Sequence, residues 1–342
     1  MNIMKTQELT DTTKAMMAGD KGLLAMDESI PTCNKRFAEA GIPQTEEYRR
    51  AYRDLIVNTS GLETAISAAI LSDETIRQQT LNGVPFAEAL KNKGIIPGIK
   101  VDLGAVALAG FPGEKVTEGL DGLRQRMSEY YALGARFSKW RAVIIIDEHI
   151  PSGGCLEANM HALARYAAIC QEAGIVPIVE PEVLMDGSHT IERCRKVTQE
   201  GLLMLFTELH NQRVDLHGII LKPNMILPGK DSPVQEDDEI IAHTTIKCLL
   251  RCVPASVPGV AFLSGGQSPQ QATARLNTMH KLYPSLPWAL TFSYARAVQQ
   301  PAMDIWAGKP ENVAAAQQAL YHRASLNSAA RRGKYTAEME KS

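Results

Sequence analysis

Residues 135–183 read ARFSKWRAVIIIDEHIPSGGCLEANMHALARYAAICQEAGIVPIVEPEV, and they give the clearest indication of the fold class. Two mainly apolar runs, 135–145 and 175–183, flank residues 156–172, whose apolar side chains recur at three- and four-residue spacing. Short apolar runs of this kind indicate buried strands, and the spacing between them indicates an amphipathic helix. The stretch therefore predicts a strand, a covering helix and a second strand parallel to the first.

The same alternation continues in both directions along the chain. We predict eight strands, at residues 23–27, 65–71, 95–101, 135–145, 175–183, 217–224, 260–264 and 288–294. Eight parallel strand–helix units that close into a TIM (β/α)8 barrel leave no strand edge unpaired, and the chain lacks the G-x-G-x-x-G turn of an open dinucleotide-binding sheet. Residues 1–342 are expected to form a single α/β domain with an extra helix within 1–20, another over 312–330, and a polar, mobile tail at 331–342.

The composition argues against a nucleic-acid or membrane partner. The 342 residues include 36 Lys and Arg against 38 Asp and Glu, a formal charge of -2, so no basic surface is available for a phosphate backbone or an anionic bilayer. No apolar stretch approaches the roughly 18 residues of a membrane span. Six cysteines without a C-x-x-C pair and eight histidines without H-x-H or H-E-x-x-H spacing give no metal motif. We expect a cytoplasmic protein with reduced thiols, no metal and no cofactor.

Charged side chains occur within the predicted strands, where a barrel interior is normally apolar. Lys139 and Arg141 are two residues apart, as are Glu180 and Glu182, so each pair faces one side of its strand. Other strands add further ionisable groups: Asp27, Lys100, Asp102 and Lys222. The alternative for any one of these pairs is a structural ion pair. Glu182 alone has the same alternative. Together, at strand ends on one barrel mouth, they indicate a reaction site, because so many buried charges are costly without chemical use.

Lys222 lies in an apolar run before Pro223, the setting of a nucleophilic amine. Desolvation and the nearby ammonium of Lys139 would both lower its pKa toward neutrality and supply free amine for attack on a carbonyl. The alternative is a lysine paired with a carboxylate. Glu180 and Asp27 are the candidate acid and base, because a carboxyl beside another carboxyl has a raised pKa while one beside lysines stays ionised. This set suits a carbon–carbon lyase.

Two loops predict a phosphate site. Residues 262–268, FLSGGQS, leave the seventh strand with Ser264 and Gly265, and residues 293–296, SYAR, leave the eighth with Ser293 and Arg296. Loops after strands seven and eight are the usual phosphate site of such barrels. The basic pair Lys35-Arg36 after the first strand would suit a second phosphate, or is a solvated helix face.

Seven motifs in order give the chain a resemblance to a known family: GLLAMDES at 22–29, GIKVD at 98–102, FSKWR at 137–141, GIVPIVEPE at 174–182, LKPNM at 221–225, FLSGGQS at 262–268 and WALTFSYARA at 288–297. The sequence resembles class I, Schiff-base-forming fructose-bisphosphate aldolases over nearly its whole length. The resemblance implies reversible cleavage of fructose 1,6-bisphosphate to dihydroxyacetone phosphate and glyceraldehyde 3-phosphate. It also implies a cytosolic homotetramer that acts in glycolysis and gluconeogenesis.

The resemblance further implies a role for each matching residue. Lys222 would attack the C2 carbonyl, Glu180 would act as acid and base, Asp27 would take the proton of the C4 hydroxyl, and Lys139 would supply charge beside the amine. The remaining substrate-binding residues follow from the same motifs: Ser264, Gly265 and Arg296 at the C1 phosphate, Lys35, Arg36 and Arg141 toward the C6 phosphate, and Lys100 and Glu182 in the polar pocket. Ser29 and Ser293 are further substrate-binding residues.

The sequence departs from the family pattern at three places. Ala295 replaces the glycine of S-Y-G-R, Thr32 stands where a serine is usual, and residues 335–342 lack the longer tail ending in tyrosine of many animal members. These differences bear on phosphate contact, on enamine reprotonation and on the preference for bisphosphate over monophosphate. The alternative functions are a Schiff-base aldolase or transaldolase for another sugar phosphate, such as sedoheptulose bisphosphate, and a catalytically silent sugar-phosphate-binding or cytoskeletal barrel. The histidine spacing gives a zinc-dependent aldolase no support.

Overall fold

Eight parallel strands close into a barrel in the computed structural model, which describes residues 3–341. The barrel strands are β1 (Gly22–Ala25), β2 (Ile66–Leu71), β3 (Ile96–Lys100), β6 (Phe137–Ile144), β7 (Val176–Val183), β8 (Ile220–Leu221), β9 (Gly259–Phe262) and β10 (Ala289–Tyr294). They pair in chain order, and β1 closes the circle against β10. The predicted TIM barrel and all eight of its strands are confirmed.

Helix α1 (Ile3–Met17) packs against the amino-terminal end of the barrel, where Leu9, Met16 and Met17 join the interior apolar cluster. The other helices cover the outside: α2 (Ile30–Glu39), α3 (Glu46–Val57), α4 (Asp73–Arg77), α5 (Phe86–Asn92), α6 (Leu123–Ala132), α7 (Gly153–Glu172), α8 (Ile191–Asn211), α9 (Asp238–Cys252), α10 (Pro269–Leu282), α11 (Arg296–Trp306) and α12 (Val313–Arg331). Side-chain oxygens cap several N-termini, as Ser268 does for α10 in a reciprocal capping box with Gln271. The predicted helices at the two ends of the chain correspond to α1 and α12; residues 1 and 2 lie outside the described range. Among residues 3–341, no helix has both the length and the hydropathy of a membrane span.

A short antiparallel hairpin follows β3. It was not predicted from the sequence. It consists of β4 (Gly104–Ala107) and β5 (Lys115–Glu118), and it lies outside the barrel sheet. The turn residues Gly110 and Gly113, both at positive φ, connect the two strands. The hairpin extends the wall of the barrel mouth beside the ends of β3 and β6.

The lower part of the barrel interior is apolar and tightly filled. A Cβ atom on Gly98 would lie 2.3 Å from the ring of Phe137, so only glycine fits at this position. A small apolar cluster that includes Leu23, Phe137 and Ile178 fills this space. Ionisable side chains are therefore confined to the carboxyl ends of the strands, where the packing opens.

Strand register brings the charged pairs of neighbouring strands together. Lys100 of β3 lies opposite Lys139 of β6, and Arg141 of β6 lies opposite Glu180 of β7. Since the strands are parallel, their carboxyl ends meet at one mouth of the barrel. This register places the basic pair of β6 beside the acidic pair of β7.

The chain after α12 returns to the barrel surface. Tyr335 is buried, and its hydroxyl donates to Glu340 at 2.9 Å. The Nη1 group of Arg323 also donates to both carboxylate oxygens of Glu340, each at 2.6 Å. The predicted tail at 331–342 includes Ser342, which lies outside the described residues. The mobility of the tail stays a prediction, and so does the organisation of the chain as a single domain.

Candidate active site

A cavity of about 1500 Å³ opens at the carboxyl ends of the barrel strands. All fourteen site residues predicted from the sequence line it: Asp27, Ser29, Lys35, Arg36, Lys100, Lys139, Arg141, Glu180, Glu182, Lys222, Ser264, Gly265, Ser293 and Arg296. They come from helix α2, from the first turn of α11, and from barrel strands other than β2 or the loops that follow those strands. The structure thus brings the predicted residues to one place.

Four of these residues form a continuous lysine–carboxylate cluster at the floor of the cavity: Asp27, Lys139, Glu180 and Lys222. The Lys139 ammonium lies 2.8 Å from Asp27 Oδ2 and 3.2 Å from Glu180 Oε2. The other oxygen of Glu180 lies 3.1 Å from Lys222 Nζ. All four residues are more than nine-tenths buried. Glu180 therefore bridges the two amines, and a proton leaving either nitrogen has an acceptor within hydrogen-bond distance.

Opposite charges control the ionisation of this cluster. Burial alone would raise the pKa of Asp27, but the charges of Lys139 and Lys222 outweigh it and lower that pKa to about 2. Burial likewise opposes ionisation of Glu180, and the same two lysines with Arg141 lower its pKa below the usual value. The carboxylates raise the pKa of Lys139 against the effect of its burial. In this arrangement both carboxyls are ionised and Lys139 is a cation.

The pKa values of the two carboxyls differ from the sequence-based prediction, which was wrong on this point. It assigned a raised pKa to a carboxyl beside another carboxyl, whereas both Asp27 and Glu180 lie beside lysines and have lowered values. Lys222 is paired with Glu180, which was the alternative left open for it. The acid and base roles are therefore not separated by resting pKa, and any separation must arise when a substrate changes the charges around them.

Two ion pairs form the neighbouring wall. Lys100 Nζ contacts Asp102 Oδ1, and the Arg141 guanidinium donates to Glu182. Asp102 Oδ2 also accepts the backbone N–H of Arg141 at 3.3 Å. Burial would lower the pKa of Arg141, but Glu182 and Glu180 raise it above its usual value. This wall presents fixed positive charge to the cavity, and Glu182 holds Arg141 in place.

The other side of the cavity has the features of an anion site. Gly265 and Gly266 follow β9 with φ of +58° and +83°, in a turn closed by the hydrogen bond from Gln267 N–H to Ser264 O at 3.0 Å. The N–H groups of both glycines donate to no backbone carbonyl of the described residues, so they are available to an anion. The Ser293 hydroxyl is buried and has no hydrogen-bond partner among residues 3–341. Arg296 begins α11 and is exposed to the cavity. Ala295 before it has φ of -101°, so the methyl group that replaces glycine causes no strain in φ.

The predicted substrate-binding residues after β1 are Ser29, Lys35 and Arg36, and they differ in how far they are available to a phosphate. Ser29 caps α2 by accepting the N–H of Thr32 at 3.4 Å, and the two hydroxyls lie 3.0 Å apart. Lys35 is exposed at the cavity edge. Arg36 is buried instead: its guanidinium contacts Glu28 at 2.5 Å and donates to Gln300 at 3.2 Å. Its contact with a phosphate therefore requires these partners to give way.

Sequence reasoning missed a second buried charged group, the arginine–glutamate cluster formed by Glu28, Arg36, Arg53 and Gln299. Arg53 of α3 lies 2.8 Å from Glu28, and Gln299 Nε2 donates to Glu28 at 3.0 Å. The only sequence signal is a glutamate directly after Asp27. The partners lie 8, 25 and 271 residues from Glu28, so no local spacing reveals them. Lys230, which also lines the cavity, was missed too.

Comparisons with known proteins agree on one family. The family model described as class-I fructose-bisphosphate aldolase matches residues 8–342. A probable fructose-bisphosphate aldolase class 1 of Xanthomonas axonopodis pv. citri is 58% identical over 333 residues, covering 97% of this chain and 99% of that protein. The cytosolic fructose-bisphosphate aldolase 5 of Arabidopsis thaliana is 50% identical over 329 residues, covering 96% and 92%. Fructose-bisphosphate aldolase from Plasmodium falciparum, solved with TRAP and a small-molecule inhibitor, superposes with a TM-score of 0.97 at 45% identity and covers 98% of this chain and 97% of its own.

Proposed function

The chain belongs to the class I fructose-bisphosphate aldolase family, and on that premise we propose that Lys222 carries the Schiff base through which it cleaves fructose 1,6-bisphosphate. The reaction gives dihydroxyacetone phosphate and glyceraldehyde 3-phosphate in glycolysis and runs in reverse in gluconeogenesis. One observation supports the assignment most strongly. Lys222 is a buried amine at the cavity floor, 3.1 Å from a carboxylate that also contacts a second ammonium.

Glu180 is placed to make the proton transfers that form the Schiff base. The Lys222 ammonium gives a proton to Glu180, and the free amine bonds to C2 as Glu180 returns that proton to the C2 oxygen. The nitrogen then loses a proton to Glu180, which leaves a neutral carbinolamine and a protonated Glu180. Glu180 next protonates the departing hydroxyl, so that water leaves and a C=N bond remains. Lys139 lies close to both Glu180 and Asp27, which supports a role for its positive charge in stabilising each of these carboxylates while it is anionic.

Bond cleavage is assigned to Asp27. Its carboxylate takes the proton of the C4 hydroxyl, the C3–C4 bond breaks, and the electron pair moves into the imine to give an enamine on Lys222. The nearby lysines lower the pKa of Asp27 to about 2, so it is in the anionic form that an acceptor must have at neutral pH. The same lysines make it a weaker base, so the assignment is supported by its position in the lysine–carboxylate cluster and not by its basicity. The aldehyde product leaves first. Protonation at C3 and hydrolysis of the imine then release dihydroxyacetone phosphate and regenerate the amine.

Substrate phosphates would bind at the two ends of the cavity. We assign the C1 phosphate to Ser264, Gly265, Ser293 and Arg296, supported by the free Ser293 hydroxyl and the positive-φ glycine turn. Lys35 and Arg141 are assigned to the C6 end, with Lys100, Glu182 and Ser29 around the sugar. Arg36 joins them only on release from Glu28. We also propose a homotetramer in the cytosol, which light scattering and cell fractionation test.

Borohydride trapping tests the central assignment. Incubation with dihydroxyacetone phosphate and borohydride in the presence of EDTA should give a stable adduct, which peptide mass spectrometry places on Lys222. Lys222→Met should give no adduct, whereas the matched control Lys100→Met should still be labelled. Lack of labelling in the wild-type protein overturns the proposal. Specificity is measured in parallel as kcat/KM for fructose 1,6-bisphosphate, fructose 1-phosphate and sedoheptulose 1,7-bisphosphate, and the first should be the preferred substrate.

A further inference from the structure

Lys230 lies on the cavity wall in the loop between β8 and α9. Its loop pairs with the loop after β7 through three backbone hydrogen bonds: Gly229 N to His189 O at 2.8 Å, Lys230 N to Met185 O at 2.7 Å and Asp231 N to Gly187 O at 3.0 Å. A Cβ atom on Gly229 would lie 2.1 Å from the Gly187 carbonyl oxygen, so this approach requires glycine. The two loops therefore fix the backbone of Lys230 at the mouth of the cavity.

The side chain of Lys230 points toward the anion site. A Cβ atom built on Gly266 would lie 3.4 Å from Lys230 Nζ and 3.5 Å from the Arg296 guanidinium nitrogen Nη2. Two cations from different loops thus approach the same point above the glycine turn. Lys230 also contacts Asp186 at 2.8 Å, but both side chains of that pair are about half exposed. An exposed pair of this kind is weak and leaves the ammonium available to a second anion.

The charges at this point are not balanced by the protein itself. The Arg296 side chain makes no hydrogen bond or ion pair with the side chains and backbone that the structure describes, and Asp186 offsets only Lys230. Two like charges that converge on a cluster of backbone N–H groups repel each other unless an anion lies between them. A phosphate monoester dianion has the charge and the number of acceptor oxygens to fill such a position, with Arg296 binding through its planar fork and Lys230 as a point charge.

We propose that Lys230 is an additional binding residue for the C1 phosphate of the substrate. The inference rests on the proposed function, which assigns that phosphate to Ser264, Gly265 and Arg296. Because the C1 phosphate is common to fructose 1,6-bisphosphate, fructose 1-phosphate and dihydroxyacetone phosphate, Lys230 contributes equally to the binding of all three. A residue at the C6 end, such as Lys35, contributes only to the bisphosphate.

Steady-state kinetics of Lys230→Met test this assignment. The KM values for fructose 1,6-bisphosphate and fructose 1-phosphate should both rise by the same factor, on the order of 3- to 10-fold, because one partly screened charge is lost. The half-saturating dihydroxyacetone phosphate concentration in borohydride trapping should rise by that factor too, while kcat stays within about twofold. Added salt should weaken substrate binding less in the variant than in the wild type.

Two further variants serve as controls. Lys230→Arg keeps the charge and should restore both KM values to within about twofold of the wild type. Lys247→Met removes the same charge from an exposed position of α9 that does not line the cavity, and it should leave all constants unchanged. Thermal unfolding of all three variants confirms that each is folded.

Two outcomes overturn the inference. Wild-type KM values in Lys230→Met would show that the residue does not bind the substrate, and a rise for the bisphosphate alone would place it at the other phosphate. Failure of the proposed function is a separate result, because it appears as lack of a Lys222 adduct in the wild-type protein before any variant is compared.

Discussion

Asp27 and Glu28 are consecutive residues at the end of β1, yet each belongs to a different buried charged group. Asp27 belongs to the lysine–carboxylate cluster on the cavity floor, and Glu28 to the arginine–glutamate cluster behind it, between α2, α3 and α11. Each carboxylate is ionised for the same reason: nearby cations outweigh the cost of burial and lower its pKa. Burial and charge alone therefore do not distinguish a reaction site from a structural ion pair.

The two clusters differ in the type of cation that they contain. A lysine amine gives up its proton when its surroundings change, whereas an arginine guanidinium stays charged at every physiological pH. Both clusters reach the cavity, since Glu28 and Arg36 line it as well, but Arg53 is enclosed by the packing of α3. One cluster has a transferable proton on an amine that is open to addition; the other has only guanidinium cations and fixes the position of the segment that carries Asp27.

Replacing Lys222 by arginine, the cation type of the other cluster, should cause the greatest loss of activity. Lys222→Arg keeps the positive charge but removes the amine, so aldol cleavage should fall on the order of 10⁴-fold or more and borohydride trapping should be lost. The reciprocal change, Arg53→Lys, should keep kcat within a few fold and lower the denaturation midpoint, because a lysine cannot replace the geometry of the guanidinium. Equal loss of activity in both variants would remove the distinction between the clusters.

Neutralising the carboxylate behind the cavity should mainly affect stability. Glu28→Gln leaves Arg36 and Arg53 without a counter-charge in a buried position, and breaking such a pair costs about 3–5 kcal/mol. Urea unfolding should show this loss. Glu182→Gln is the matched control and should cost less, because its partner Arg141 is 41% exposed. A normal midpoint together with a hundredfold loss of kcat would instead give Glu28 a role in the chemistry.

The barrel was predictable from sequence because its signal is local. Each strand is an apolar run of a few residues, and each charged pair faces one side through period-two alternation. The exceptions have local causes. The structure limits β8 to Ile220–Leu221, since a 3-10 turn precedes it and Pro223 has no N–H to donate. The hairpin of β4 and β5 is too short and too exposed to carry an apolar signal.

The pairing of charges was not predictable in the same way. The sequence places Lys139, Glu180 and Lys222 at one mouth, but which oxygen contacts which amine depends on side-chain packing across three strands. Arg36 illustrates the problem: its position after β1 suggests phosphate binding, while its actual contacts are with Glu28 and Gln300. Gln300 is 264 residues away in sequence, so only the closed barrel brings the two together.

Asp27→Asn separates the steps assigned within the lysine–carboxylate cluster. Without a carboxylate to accept the C4 hydroxyl proton, kcat should fall by about 10²–10⁴-fold, the usual contribution of a general base. Schiff-base formation depends on Lys222 and Glu180, so borohydride trapping of dihydroxyacetone phosphate should persist. If the variant lost trapping as well, Asp27 would act in amine activation, and the assignment of cleavage to it would be wrong.

The smallest expected effect is the pH dependence of stability that Asp27 contributes. Its folded pKa of about 2 lies below its usual value of 3.8, so the folded state favours the ionised form. This contribution is therefore complete above about pH 4 and is lost as the pH falls toward 2; the difference between the two pKa values corresponds to about 2 kcal/mol. Asp27→Asn removes the group, so the difference in unfolding free energy between wild type and variant should shrink by that amount between pH 5 and pH 2. Urea titrations at several pH values measure it, and a constant difference would mean that the lysines do not hold Asp27 ionised.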